Sequence, residues 1–169
     1  GFETMGATMM MRDLLKLDLP EKILKEDATV KIVEHRTPLG VVAMIIPWNV
    51  PIGLITVKLI PALLAGNTAV AKPAPTTPLA TLKFVELCNE FLPPGVFNVI
   101  VDANDLGDKR TGHPDVRKIS CTGSTATGRK VAQAAGAGLK RVTLELGGND
   151  AAIVLDDCDP KDIAPKLFM

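Results

Sequence analysis

The feature that most constrains this chain is a series of short, mostly non-alternating apolar segments separated by longer stretches with helical spacing. Val41–Ile46, Thr68–Ala71, Val96–Val101 and Val116–Ser120 have strand length. Between them, Ile52–Leu64, Leu79–Leu92 and Ser124–Ala135 place apolar residues at helical intervals. Arg141–Leu146 and Ala151–Leu155 extend the series as two further strands. Strands that alternate with helices predict an α/β fold with a doubly wound, mostly parallel sheet, because parallel neighbours need helical crossovers. Strands without polar alternation agree, since such a sheet is covered on both faces. Ligands of this architecture bind at the carboxyl ends of the strands.

The breakers fit this plan. Pro61 is expected to kink or interrupt 52–64, and Gly66-Asn67 to stop it. Pro73–Pro78 reads as a turn, and Pro93-Pro94-Gly95 closes the next helix. Upstream, residues 2–16 read as an amphipathic helix with Met5, Met9 and Leu15 inward and Arg12 and Lys16 outward. Its methionines suit packing better than ligation. Leu17–Pro20 breaks the pattern, and Thr29–Arg36 alternates like an exposed ribbon strand. Three parts result: a helix and linker over 1–28, a ribbon strand over 29–37, and the sheet domain over 38–169. Asp162–Met169 reads as the opening of a helix, Gly1 is not an initiator methionine, and both ends are expected to be cut.

Composition narrows the classes. Lys and Arg number 19, as do Asp and Glu, so no basic stripe points to nucleic acid. Pro47, Asn49, Pro51 and Lys58 interrupt the longest apolar stretch, so no membrane span is expected. Zero net charge favours self-association, hence an oligomer. The three cysteines include no CxxC pair, and His35 and His113 stand apart from them. Neither a disulfide framework nor a metal site is expected, and a reducing, cytoplasmic setting follows.

Four motifs at strand ends carry possible chemistry. In Pro47-Trp48-Asn49-Val50-Pro51, two prolines fix the backbone around a carboxamide. Asn49 could donate to a developing oxyanion, or simply make an Asx turn. Lys72, ending its strand before Pro73, could reach ribose hydroxyls or phosphate, or be merely solvated. Gly123-Ser124-Thr125-Ala126-Thr127-Gly128 opens a helix, which suits a pyrophosphate or an ordinary N-cap. Arg129 and Lys130 stand where a nucleotide-hydrolase loop needs Lys and then Ser or Thr, and the GxGxxG fingerprint is absent. In Leu144-Glu145-Leu146-Gly147-Gly148, burial of Glu145 in an apolar strand would ready it as a general base; the alternative is a solvated carboxylate on an edge strand. The paired glycines favour the first by allowing close approach to the backbone.

In order and spacing these motifs, with Ala65-Gly66-Asn67-Thr68 and Lys72-Pro73-Ala74, resemble the aldehyde dehydrogenase superfamily over residues 30–169. The resemblance implies a Rossmann-like cofactor-binding domain that stops before the catalytic domain. It implies NAD(P)-dependent oxidation of a small-molecule aldehyde to a carboxylic acid, with NAD or NADP as cofactor. Asn49 would match the oxyanion-hole amide and Glu145 the general base. Ile46, Pro47, Trp48, Lys72, Gly123, Ser124, Gly128, Leu146 and Gly147 would match cofactor contacts. Thr29–Arg36 would belong to an oligomerisation ribbon, giving a homodimer or homotetramer in the full-length form. The family's nucleophilic cysteine lies beyond the stretch matched here, so the isolated chain is expected to be inactive.

None of the three cysteines replaces it by motif. Cys88 lies on a core helix, Cys121 precedes the Gly-Ser-Thr turn where the family commonly has an aromatic residue, and Cys158 has acidic neighbours. Pro75 stands where many NAD-preferring members carry Glu, which leaves the choice between NAD and NADP open. The competing reading is a non-catalytic, truncated paralogue that binds cofactor or a partner subunit.

Overall fold

A computed structural model describes residues 1–103 and 111–167. The chain opens with α1 (Phe2–Leu14), then a two-stranded antiparallel ribbon, β1 (Lys22–Glu26) and β2 (Lys31–Glu34). A five-stranded sheet follows: β3 (Val41–Ile45), β4 (Thr68–Lys72), β5 (Phe97–Val99), β6 (Val116–Thr122) and β7 (Arg141–Glu145). Its helices are α2 (Pro51–Leu64), α3 (Leu79–Asn89) and α4 (Thr125–Ala137), and α5 (Pro160–Leu167) comes last. The order is β5-β4-β3-β6-β7 with every pair parallel. From β3 the chain winds outward to β4 and β5, then returns to the far side of β3 for β6 and β7. The expected doubly wound α/β sheet is present.

β3 shows why its sequence is continuously apolar. Val42, Met44 and Ile46 enter one core with Ile55 and Leu59 of α2, Ala69 and Ala71 of β4, Val85 of α3 and Phe97 of β5. Ala43 enters the other core with Val116, Ile119 and Cys121 of β6 and Val131 and Ala135 of α4, and Val41 and Ile45 pack against it. Alternate residues therefore serve opposite covers. Each fully buried side chain of this size contributes about 1.5–3 kcal/mol of transfer free energy. Phe84 and Phe97 add an edge-to-face contact with centroids 6.3 Å apart.

α2 runs unbroken through Pro61, where the sequence predicts a kink or an interruption. It ends as a Schellman cap. The Gly66 N–H donates to Leu63 and the Asn67 N–H to Ala62, both at 2.9 Å. Gly66 has φ +77°, and a β-carbon there would lie 2.7 Å from Pro38, so both backbone and space demand glycine. Asn67 then accepts from the Leu39 and Gly40 N–H groups at 2.6 and 3.1 Å, and its amide donates to the Ala62 carbonyl at 3.0 Å. This one buried side chain ties the end of α2 to the entry of β3.

Two sequence expectations are corrected. Residues 22–26, expected within the linker, form β1 against the ribbon strand. Lys-Ile-Leu-Lys-Glu does not alternate; the strand depends on its partner and on the turn between them. Asp27 closes that turn by accepting from the N–H groups of Thr29 and Val30, each at 2.9 Å. The Lys25 ammonium, then these donors, hold the Asp27 carboxyl well below the usual carboxylate range. Conversely, Ala151–Leu155 forms no strand and lies exposed, with Ile153 at 86%. An apolar run of strand length stays irregular where no neighbouring strand pairs with it. The helix expected from Asp162 begins at Pro160, and residues 168 and 169 lie outside the described residues. No helix among the described residues is long and apolar enough to cross a membrane.

Candidate active site

Parallel pairing places the singled-out residues along one edge of the sheet. Lys72 is the register partner of Ile45 in β3, which in turn faces Cys121 of β6, and Glu145 of β7 faces Thr122. The Ile46 N–H donates to the Lys72 carbonyl at 2.9 Å, and the Gly123 N–H to the Glu145 carbonyl at 3.0 Å. This edge is the carboxyl end of every strand. It includes the point between β3 and β6 where the winding reverses and a crevice opens. From β4 to β7 are three strand spacings, about 14 Å. A row that long suits an extended ligand.

Pro47–Val50 leaves β3 at the reversal point. Trp48 and Asn49 are exposed there, and Thr77 donates from Oγ1 to the Trp48 carbonyl at 3.2 Å. Ile46, by contrast, is only 2% exposed and its side chain belongs to the core, so only its backbone is available to a ligand. Lys72 is 12% exposed in its side chain and forms a 3.3 Å ion pair with Asp102, whose side chain is 1% exposed. It is not the solvated lysine that a strand end commonly carries.

Ser124 is the N-cap of α4. Its hydroxyl accepts the Thr127 N–H at 3.2 Å and meets the Thr127 hydroxyl at 3.0 Å. The capping alternative is thus realised, and the helix end still presents first-turn N–H groups at the sheet edge. Nothing lies within 4 Å of where a Gly123 β-carbon would stand, so the backbone is open to approach. Gly128 is the opposite case: its β-carbon would meet Leu146 at 2.5 Å. Gly147 and Gly148 are open like Gly123: neither has a neighbour within 4 Å of its β-carbon position.

Of the two readings of Glu145, the solvated carboxylate on an edge strand is the one present. It is exposed, not buried, because β7 is an edge strand among the described residues.

Lys58, which sequence reasoning passed over as a candidate, reaches from α2 to β6. Its ammonium donates to Ser120 Oγ at 3.1 Å. Partial burial pushes its pKa down, Cys121 and Glu145 pull it back up, and Lys118 lowers it. The signal available in the sequence was a single ionisable group within the otherwise apolar Pro51–Leu64 helix. Glu3, also missed, reaches the first turn of α2 from α1. No local pattern could have found it.

Cys121 is fully buried. Burial pushes its thiol up, while Lys58 and Lys72 act the other way. Burial likewise raises the Cys88 thiol. Both are poor nucleophiles. Among the described residues, no group of three His, Cys, Asp or Glu side chains could hold a metal ion.

The family model for the aldehyde dehydrogenase family matches residues 5–169. The chain belongs to the aldehyde dehydrogenase family. Phenylacetaldehyde dehydrogenase of Pseudomonas fluorescens is 46% identical over 160 residues, covering 94% of this chain and 31% of that protein. The crystal structure of aldehyde dehydrogenase from Bartonella henselae superimposes with TM-score 0.88 at 39% identity, covering 96% of this chain and 35% of that one. That of the Mycobacterium tuberculosis aldehyde dehydrogenase complexed with NAD+ gives TM-score 0.88 at 38% identity, covering 96% and 34%. This aldehyde dehydrogenase segment thus spans about a third of the length of the relatives it matches.

Proposed function

We propose that this chain supplies the cofactor-binding half of an enzyme that oxidises an aldehyde to a carboxylic acid with NAD or NADP. The observation that carries the proposal is the single row at the sheet's carboxyl edge, where the Gly123 N–H donates to the Glu145 carbonyl at 3.0 Å. That bond joins the helix-opening loop to the strand bearing the only carboxylate among the singled-out residues.

The residues fit a dinucleotide. Gly123 leaves room for close approach, the first turn of α4 offers N–H groups to a pyrophosphate, and Lys72 is oriented by Asp102 for a ribose. The backbones of Ile46, Pro47, Leu146 and Gly147, with Trp48, Ser124 and Gly128, complete its surroundings. When bound, the nicotinamide supplies a hydride acceptor. Asn49 donates its amide hydrogens to the oxygen of the aldehyde-derived carbon as charge develops there. Glu145, at the exposed end of β7, takes a proton from the water that releases the acid. Cys88, Cys121 and Cys158 have no part in the reaction, and the 169-residue chain alone should reduce no NAD in the presence of aldehyde. The β1–β2 ribbon, with Ile23, Leu24, Val30 and Ile32 exposed, is the surface for assembly into a homodimer or homotetramer.

Rapid-mixing kinetics on the full-length enzyme tests the roles. Asn49→Ala should slow the burst of NADH by about 10²–10³-fold. Glu145→Gln should leave the burst and slow steady turnover by about 10²-fold or more. Unchanged burst and turnover in both variants would remove the assignment.

A further inference from the structure

α2 begins without a cap of its own. Val50 occupies the N-cap, Pro51 the first position, and no local side chain accepts a first-turn N–H. A helix start leaves several N–H groups without partners inside the helix, and Pro51 removes only one of them. The next two are met from the far side of the sequence. Glu3 Oε1, on α1, accepts from Ile52 at 2.6 Å and Gly53 at 3.3 Å. On the other flank, Thr77 Oγ1 donates to the Trp48 carbonyl at 3.2 Å. Asn49 lies between these two tethers.

We propose that Glu3 is a positioning residue for the Asn49 amide, acting through the first turn of α2. The proposal rests on the oxyanion role given to Asn49 above. The turn is short and stiff: Pro47 and Pro51 fix φ on both sides, so movement of the helix start passes directly to Asn49. A carboxylate also suits that position, because the helix start carries partial positive charge. Without the Glu3 acceptor, the turn keeps the Thr77 bond to the Trp48 carbonyl and the Leu54 N–H bond to the Val50 carbonyl at 3.0 Å, but the Ile52 and Gly53 N–H groups lose their partner. Displacement of a reacting group by about 1 Å can cost on the order of 10²-fold in rate, so even a partial relaxation is measurable.

The test is a double-mutant cycle in the full-length enzyme carrying this segment. Glu3→Met keeps an unbranched, helix-forming side chain of similar length but removes the acceptor. Glu3→Gln keeps an acceptor oxygen. Glu3→Met should slow the burst of NADH at saturating NAD by roughly 10-fold, and Glu3→Gln should restore most of the rate. In an Asn49→Ala background, Glu3→Met should cause no further slowing.

A wild-type burst in Glu3→Met would overturn the proposal. So would equal slowing with and without Asn49, which is what a cap with a merely structural role would give. If Asn49→Ala alone leaves the burst intact, the oxyanion reading fails first and this one falls with it. Should Glu3→Met not fold, Glu3→Asp, one methylene too short to reach Ile52, must show the same Asn49-dependent loss.

Discussion

Gly128 sits in the first turn of α4 with Leu146 against it, and alanine at that position has a cost that can be worked from the contact. The added β-carbon would lie 2.5 and 2.7 Å from the two Leu146 methyls and 3.2 Å from its Cγ. Carbon atoms rest at about 3.5–4.0 Å, so Leu146 must withdraw by roughly an ångström. Overpacking of this kind costs about 1–3 kcal/mol. Alanine for glycine inside a helix offsets about 1 kcal/mol of that. Leu146 is 39% exposed and can yield in part, so the cost falls near the middle of its range, about 2 kcal/mol.

Gly128→Ala should therefore destabilise α4 by about 1 kcal/mol. In a Leu146→Ala background the obstruction is gone and only the helix preference remains. There the same substitution should stabilise by about 0.5–1 kcal/mol. Native-state hydrogen exchange of the α4 amides, compared across the four proteins, reads this local free energy directly. The reversal of sign is the test. The same sign in both backgrounds would mean that Leu146 is not the wall the geometry makes it.

Three further outcomes follow from the structure. Asn67→Ala strips the acceptor from two N–H groups and removes one of the two donors to the Ala62 carbonyl, and should cost about 2–4 kcal/mol by urea unfolding; Asn67→Asp, which keeps both acceptor contacts, should cost less, and a loss in Asn67→Ala below about 1 kcal/mol would contradict the account. Cys121 is enclosed and its thiol raised by burial, so iodoacetamide should label it only on unfolding. Cys88 should react slowly, gaining speed only above the usual thiol range, and peptide mapping that finds Cys121 labelled as fast as Cys158 would refute this. Lys58 has its folded pKa below its ordinary 10.5, so the unfolded chain binds more protons between those values and stability rises with pH across that window. Lys58→Met should stabilise at neutral pH, and its advantage should shrink towards pH 10.5; an advantage that stays constant would remove burial as the cause.

What the sequence disclosed and what it withheld divide along one physical line. β3, α2, β4 and α4 were legible because local rules decide them: uninterrupted apolar runs, helical spacing, a glycine at a helix end, a serine at a helix start. Features that depend on a distant neighbour were not. β1 exists because β2 pairs with it, and Ala151–Leu155 is irregular with no strand among the described residues paired to it. For Glu145 both a buried and a solvated reading stayed open, because exposure is a property of what covers a strand. Lys58 could have been suspected from its lone charge among apolar neighbours. Glu3 could not, since its partners lie 49 and 50 residues away.

The alternation along β3 has a consequence for how this segment can change over time. Val42 and Met44 answer to α2, α3 and β4, whereas Val41, Ala43 and Ile45 answer to β6 and α4. Volume gained at Met44 has to be given up at residues such as Ile55 or Phe97, and volume gained at Ala43 at Ile119 or Val131. A single five-residue strand thus belongs to two separate sets of compensating substitutions, interleaved residue by residue. Among descendants of this sequence, neighbours in the chain should drift independently while residues two apart drift together.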